Sequence, residues 1–261
     1  MFSDNHVHTP FCPHGTNEKM EDYIKTAIEK GLKQLTFTEH APLPITDPTP
    51  EQNSSIKEED VELYLNKAKE LKERYKHDIT IHIGFEIDYI EGYEEQTLAF
   101  LKAYPDTIAH SILSVHFLKL AEDNYYCIDY DKDDFIGKLK EVSYARLSKT
   151  YEETLHKALS LPFGEWTPRT IGHLTLIYKF KKAHEETDSI NWTSVLNRAK
   201  ENDYTLDYNF AGLDKPYYQD VYPSESIVLE AMALGIPLSY GSDAHHPSEV
   251  GRYFERGISH G

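Results

Sequence analysis

Cysteine is scarce in this sequence, which has only Cys12 and Cys127 among its 261 residues. Two cysteines are too few for a disulfide framework or for a zinc site built from thiolates. The sequence therefore predicts that any bound metal is held by nitrogen and oxygen ligands, and it fits a reducing cytosol.

Long apolar runs are also missing. Nothing in the sequence approaches the roughly 18 uninterrupted apolar residues of a membrane span, and charged and potential metal-binding residues follow directly on the first residues. We therefore expect a cytoplasmic protein that neither enters a membrane nor is exported.

Basic residues are fewer than acidic residues in this sequence. The chain has 27 Lys and Arg against 44 Asp and Glu, which gives a formal net charge of -17. This charge repels a phosphate backbone, so nucleic acid is not an expected partner. A small anion can still bind where cations cluster, because salt screens surface charge beyond roughly 8–10 Å.

The sequence does contain a regular alternation of strand-like and helical patterns. Helical periodicity covers residues 18–30, 58–76, 134–161, 191–202 and 224–234. Strand-like runs cover residues 2–8, 34–38, 80–87, 108–115, 170–174, 204–210 and 237–241. Alternation of this kind predicts a parallel α/β sheet, and at this length a single domain over residues 1–261. We expect a closed barrel with its site at the carboxyl ends of the strands.

Histidines and carboxylates follow these strand-like runs. His6 and His8 are one residue apart, so a strand would turn both toward the same side. The further candidates are His14, His40, Glu86, His116, His173, Asp243 and His245. Imidazole and carboxylate suit zinc, iron or manganese, and this number of ligands exceeds the need of one ion. We expect two or three divalent ions.

The ordered motifs resemble the polymerase and histidinol phosphatase (PHP) superfamily of metal-dependent phosphoesterases along essentially the whole chain. The resemblance implies a distorted TIM-like (β/α)7 barrel with a trinuclear centre. It implies one ion held by His6, His8, Glu86 and Asp243, a second by Glu86, His116 and His173, and a third by His14, His40 and His245.

Three stretches resemble the histidinol-phosphate phosphatase branch of that superfamily. They are Thr38-Glu39-His40-Ala41-Pro42-Leu43-Pro44, Ile171-Gly172-His173-Leu174 with Tyr178-Lys179-Phe180, and Ser242-Asp243-Ala244-His245 with Val250-Gly251. This resemblance implies hydrolysis of L-histidinol phosphate to L-histidinol and phosphate in histidine biosynthesis. Ions bridged by Glu86 would acidify a water for attack on phosphorus, and Asp243 or His245 would protonate the leaving alkoxide.

Several other residues have two interpretations each. Arg169 could reach the substrate phosphate or pair with an acidic neighbour, and Asn209 could donate to substrate or form a turn. Asp4 could orient His6 or His8, or cap a turn. Glu39 and Asp88 are expected to point away from the site, because they neighbour ligand positions on a strand.

Two other functions compete with this hypothesis. The same centre could act on a nucleotide, a sugar phosphate or a nucleic-acid end, although the acidic composition counts against long polyanions. Alternatively, the metals could only stabilise a non-catalytic module. Structural zinc sites are usually closed and rich in cysteine, unlike this set.

Overall fold

Residues 3–258 are described by a computed structural model. The strands are β1 (Ser3–Val7), β2 (Gln34–His40), β3 (Thr80–Asp88), β4 (Ile112–Ser114), β5 (Phe117–Ala121), β6 (Asn124–Cys127), β7 (Thr170–Ile171), β8 (Thr205–Asn209) and β9 (Leu238–Gly241). Seven of them form one parallel sheet in the order β1-β2-β3-β4-β7-β8-β9. The remaining two, β5 and β6, pair as an antiparallel hairpin.

The sheet closes between its first and last strands. The Asp243 amide donates to the His6 carbonyl at 2.8 Å, and the His8 amide donates to the Ala244 carbonyl at 2.9 Å. Val7 pairs in parallel with Ala244, just beyond the end of β9. The predicted seven-stranded barrel is therefore confirmed. Phe2, the first residue of the predicted first strand, lies outside the described residues.

Among residues 3–258, seven helices lie between the strands, and their apolar faces pack on the barrel. They are α1 (Met20–Glu29), α2 (Val61–Arg74), α3 (Glu94–Ala103), α4 (Lys132–Glu141), α5 (Tyr144–Ala158), α6 (Trp192–Glu201) and α7 (Glu225–Ala233). In α1, Tyr23, Ile24 and Ala27 are fully buried. The helix ends before Gly31, which adopts φ +77°, as a left-handed residue after a helix does. No helix within residues 3–258 has the length and apolar character needed to cross a bilayer.

The prediction of one continuous helix over residues 134–161 is wrong. The chain forms α4 and α5 instead, because Val142 and Ser143 adopt extended backbone angles. The Ser143 hydroxyl then accepts the Arg146 amide at 3.4 Å, which caps the start of α5. Helix α3 and the β5–β6 hairpin were not among the predicted elements.

The predicted strand over 108–115 is also shorter than expected. Residues Pro105–His110 form 3-10 turns, and only Ile112–Ser114 pair with the sheet. At this point the chain lies against β3 so closely that a Cβ on Gly84 would meet the His110 carbonyl oxygen at 2.2 Å. The predicted loop over residues 41–55 has no helix or strand. The Asp47 carboxylate orders it by accepting the Thr49 and Ser54 amides at 2.9 and 2.8 Å.

Candidate metal centre

The predicted metal-binding residues converge at the carboxyl end of the barrel. Seven of them, including His40, Glu86 and Asp243, line a cavity of about 560 Å³. Parallel pairing places the ends of β1, β2 and β3 side by side, with His40 in register with Glu86. Sequence-distant side chains therefore meet because the strands on which they lie end at the same edge.

The first cluster combines the imidazoles of His6 in β1 and His8 just after it with two carboxylates. Glu86 Oε2 lies 3.4 Å from His6 Nε2 and 3.3 Å from His8 Nε2. Asp243 Oδ1 lies 3.7 and 3.2 Å from the same two nitrogens. Both imidazoles are fully buried. The four side chains therefore lie together, and their assignment as ligands of one ion stays a prediction.

The second cluster shares Glu86 with the first. Glu86 Oε1 lies 2.8 Å from His173 Nε2 and 3.7 Å from His116 Nε2. The Ser114 hydroxyl donates to the same oxygen at 2.6 Å and so fixes the carboxylate between the two clusters. Glu86 is therefore positioned to bridge them.

Three further imidazoles form a third cluster nearer to solvent. The His14 ring centre lies 5.2 Å from that of His40 and 5.0 Å from that of His245. His14 is exposed, and its Nδ1 donates to the Asn53 carbonyl at 2.8 Å. The loop after β2 therefore holds His14 in place, while Nε2 of the same ring makes no hydrogen bond in the described residues.

Unpaired polar atoms indicate that ions fit this centre. Within residues 3–258, the buried side-chain atoms that make no hydrogen bond include His6 Nε2, His8 Nε2, His40 Nδ1, His245 Nε2 and Glu86 Oε2. Leaving so many buried polar atoms unpaired is costly. Nitrogen and oxygen atoms in this arrangement are the ligands that first-row divalent metals accept. The chain thus contains clusters of metal-binding residues.

Burial and charged neighbours together set the pKa values of the clustered side chains. Burial opposes charge on His6, but Asp207, Glu86 and Asp243 outweigh it and hold the His6 pKa well above its usual value. Burial also opposes charge on Glu86, but His6, His40 and His116 hold its pKa well below the usual range. For His40 and His245, burial and the positive charge of His8 lower the pKa. The cluster therefore holds its carboxylates charged and the rings of His40 and His245 neutral, which are the forms in which these side chains bind a cation.

Acidic side chains behind the imidazoles orient the rings. His6 Nδ1 lies 2.8 Å from Asp207 Oδ2, and His116 Nδ1 lies 2.8 Å from Asp88 Oδ1. His8 Nδ1 faces Glu39 Oε1 at 3.5 Å. Each imidazole thus keeps its second nitrogen for the centre.

The expectation that Glu39 and Asp88 point away from the site is wrong, because both are buried and their carboxylates contact the rings of His8 and His116. Asp207 was missed. A carboxylate inside a buried strand, two residues before Asn209, was the available signal.

Three other expectations also need correction. Asn209 is fully buried and donates to Asp207 at 3.0 Å and Asp243 at 3.3 Å, so it braces carboxylates and does not face the cavity. Asp4 accepts the Ser242 and Gly251 amides at 2.9 and 2.8 Å, so it closes the barrel and orients no imidazole. Arg169 precedes β7 at the opposite barrel end and donates to the Asn202 carbonyl at 2.6 Å. It is therefore not positioned to bind substrate phosphate.

Three cations that the sequence did not single out as a group line the cavity instead. Lys179 pairs with Asp129 at 3.0 Å, and Arg252 pairs with Asp214 at 3.1 Å. Lys215 lies at the same cavity without an ion pair in residues 3–258. Burial and the neighbouring charge of Lys179 lower the Lys215 pKa. An anion in the cavity would relieve this clustering of positive charge.

Comparison with known proteins agrees with this geometry. The sequence pattern of the PHP domain matches residues 4–211. This chain belongs to the PHP domain family. The PHP chain is 37% identical over 259 residues to Bacillus subtilis "Histidinol-phosphatase", covering 97% of this chain and 96% of that protein. It is 30% identical to a Deinococcus radiodurans "Probable histidinol-phosphatase", covering 96% and 89% of the two chains.

Two solved structures share the fold. A Listeria monocytogenes crystal structure with a provisional histidinol phosphatase name superposes with a TM-score of 0.90 at 33% identity, covering 98% of this chain and 100% of that one. A Lactococcus lactis histidinol phosphate phosphatase, solved with zinc, L-histidinol and phosphate, gives a TM-score of 0.67 at 19% identity. It covers 94% of this chain and 87% of that one, and it supports the fold alone.

Proposed function

We propose that this protein is a metal-dependent histidinol-phosphatase that hydrolyses L-histidinol phosphate to L-histidinol and phosphate in histidine biosynthesis. The observation that carries the proposal is the buried set of unpaired imidazole and carboxylate atoms at the mouth of the barrel. The relatives that match nearly the whole chain have names for this activity, and this supports the choice of substrate.

The centre is proposed to hold two or three zinc, iron or manganese ions. His6, His8, Glu86 and Asp243 would hold one ion, Glu86, His116 and His173 a second, and His14, His40 and His245 a third. Bound ions would acidify water and neutralise phosphate charge. Such a site would take a small phosphate monoester.

The chain's own charged residues supply the remaining chemistry. Lys215, with Lys179 and Arg252 beside it, is proposed to bind the phosphate oxygens at the cavity wall, in place of Arg169. Glu86 sets the spacing of the two inner clusters. Asp243 and His245 both line the cavity, and one of them is proposed to pass a proton to the leaving alkoxide by way of a bound water.

Phosphate release from a substrate panel tests the proposed function. The purified full chain, loaded with zinc or manganese, is assayed on L-histidinol phosphate, glucose 6-phosphate and adenosine monophosphate. We expect the highest kcat/KM on histidinol phosphate, and loss of that activity in Asp243→Asn but not in the exposed Asp106→Asn. Comparable turnover on the other esters would instead favour a broader PHP phosphoesterase.

Three properties accompany this proposal. We infer that residues 1–261 form one domain, since a single apolar core cluster runs through nearly all elements of the described barrel. Cytoplasmic location is proposed because both cysteines are buried and unpaired. No nucleic-acid partner is expected, given the net charge of -17.

A further inference from the structure

Cys12 is buried beside the third imidazole cluster. Its side chain is 3% exposed and forms no disulfide. One donor atom each from Cys12, His8, His40 and His245 lies within 4.8 Å of the others. This is the spacing at which four side chains can share one ion.

The chain after β1 holds the cysteine in this position. The Cys12 amide donates to the Thr9 carbonyl, and the Gly15 amide donates to the Cys12 carbonyl, both at 3.0 Å. A Cβ at Gly15 would lie 3.3 Å from Cys12 Cβ. Two successive turns therefore fix the backbone on both sides of Cys12.

The neighbouring imidazoles point unpaired nitrogens into the same space. His8 is fully buried and His40 is 7% exposed, and His8 Nε2 and His40 Nδ1 make no hydrogen bond in the described chain. The His8 ring stacks on those of His40 and His245 at 4.3 and 4.0 Å. Cys12 therefore lies among imidazole nitrogens that make no hydrogen bond in the described chain, where a further metal ligand would lie.

We propose that Cys12 Sγ is a ligand of the ion held by His40 and His245, so that this outer site combines one thiolate with imidazoles. The inference rests on the proposed metal centre. Binding requires that the thiol release its proton to solvent and that the resulting thiolate donate an electron pair to the ion. No oxidation is involved.

A thiolate changes which ion the outer site prefers. Sulfur and imidazole together suit zinc, cobalt and iron, whereas manganese and magnesium prefer oxygen. One thiolate also removes one unit of positive charge from the loaded centre. The outer site should therefore retain zinc when the inner sites exchange with manganese.

Cobalt absorption of the full-length protein tests this proposal. The protein is stripped with a chelator and reloaded with Co²⁺, and we expect a near-ultraviolet thiolate-to-cobalt charge-transfer band. Cys12→Ser should lose the band, whereas Cys127→Ser, which removes the other buried cysteine, should keep it. A band that survives in Cys12→Ser, or is absent from the cobalt-loaded parent protein, overturns the proposal.

A second measurement needs no variant. X-ray absorption of the zinc-loaded parent protein should show a sulfur neighbour at about 2.3 Å, with nitrogen and oxygen at about 2.0–2.2 Å. A shell of nitrogen and oxygen alone overturns the thiolate assignment. If such a protein still hydrolyses histidinol phosphate, the proposed function stands and only the Cys12 inference fails.

Discussion

His6 Nδ1 lies 2.8 Å from Asp207 Oδ2, and the two residues are 0% and 2% exposed. They lie in β1 and β8 and are 201 residues apart along the chain. A carboxylate accepts the Nδ1 proton, so the ring must present its other nitrogen to the cluster. Asp207 also accepts the His173 amide at 3.2 Å. One carboxylate thus positions residues of both inner clusters.

Asp207→Asn should weaken metal binding without changing the fold. An amide of the same shape lacks the charge that favours the required tautomer, so we expect metal affinity to fall about 10–100-fold. Competition with a chelator, followed by elemental analysis, measures the change. Asp203→Asn is the matched control, because Asp203 is exposed just before the same strand. Equal metal retention by the two variants would contradict the positioning role of Asp207.

Metal removal should destabilise the protein as well as inactivate it. When the free ion concentration is about 100 times the dissociation constant, binding stabilises the native state by about 2.7 kcal/mol. For a chain of this size that corresponds to a fall in Tm of about 5–10 °C on chelation. Differential scanning calorimetry with and without chelator measures it, and added zinc should restore both Tm and activity. An unchanged Tm at complete metal loss would show that the buried atoms need no ions.

Lys215→Met should impair phosphate binding. Loss of a charge-assisted contact of about 1.5–3 kcal/mol lowers kcat/KM for histidinol phosphate about 10–100-fold. Inhibition by inorganic phosphate should weaken by a similar factor, because both ligands offer the same oxygens. Lys215→Arg should recover part of the loss, and Lys57→Met, at an exposed lysine outside the cavity, should change nothing. Normal phosphate inhibition in Lys215→Met would exclude the assigned contact.

A histidine pair at the opposite end of the barrel should contribute to acid instability. The His82 and His110 rings stack at 3.9 Å. Burial, then the charges of His110 and Lys72, lower the pKa of His82 from 6.5 to about 4, and burial also lowers the pKa of His110. Below pH 6.5 these two histidines bind protons in the unfolded chain but stay neutral in the folded chain. Stability from this pair is therefore lost as the pH falls from about 6.5 toward 4.

Removing one member of the pair should reduce that loss. In His110→Gln, the fall in Tm between pH 7 and pH 5 should be smaller than in the parent protein by about 2 °C. His77→Gln, at an exposed histidine, is the control. Comparing the pH dependence of each variant cancels the acid release of metal, which is common to all. An identical pH dependence in His110→Gln would contradict the prediction.

Much of the barrel could be predicted from periodicity, because the burial pattern of a strand or helix is local. Gly31 ended α1 as predicted, and all seven strand-like runs contain a strand of the sheet. The break at Ser143 could not be predicted, because both sides of it have the same apolar helical spacing. The 3-10 turns before β4 pack so closely on β3 that a Cβ at Gly84 would meet the His110 carbonyl oxygen, and no local pattern reports such a contact between distant segments.

The sequence by itself determined the type of donor atoms and the strand ends at which they occur. The metal-binding assignments are still predictions, although the structure brings all nine side chains to one end of the barrel. Only the tertiary structure decided which charged residues support them. Asp207 and Glu39 are placed by strand register and barrel closure, and Lys215 by the segment that follows β8. Arg169 lies before β7, at the opposite end of the barrel. Such roles depend on contacts between distant segments, and spacing along one segment carries no information about them.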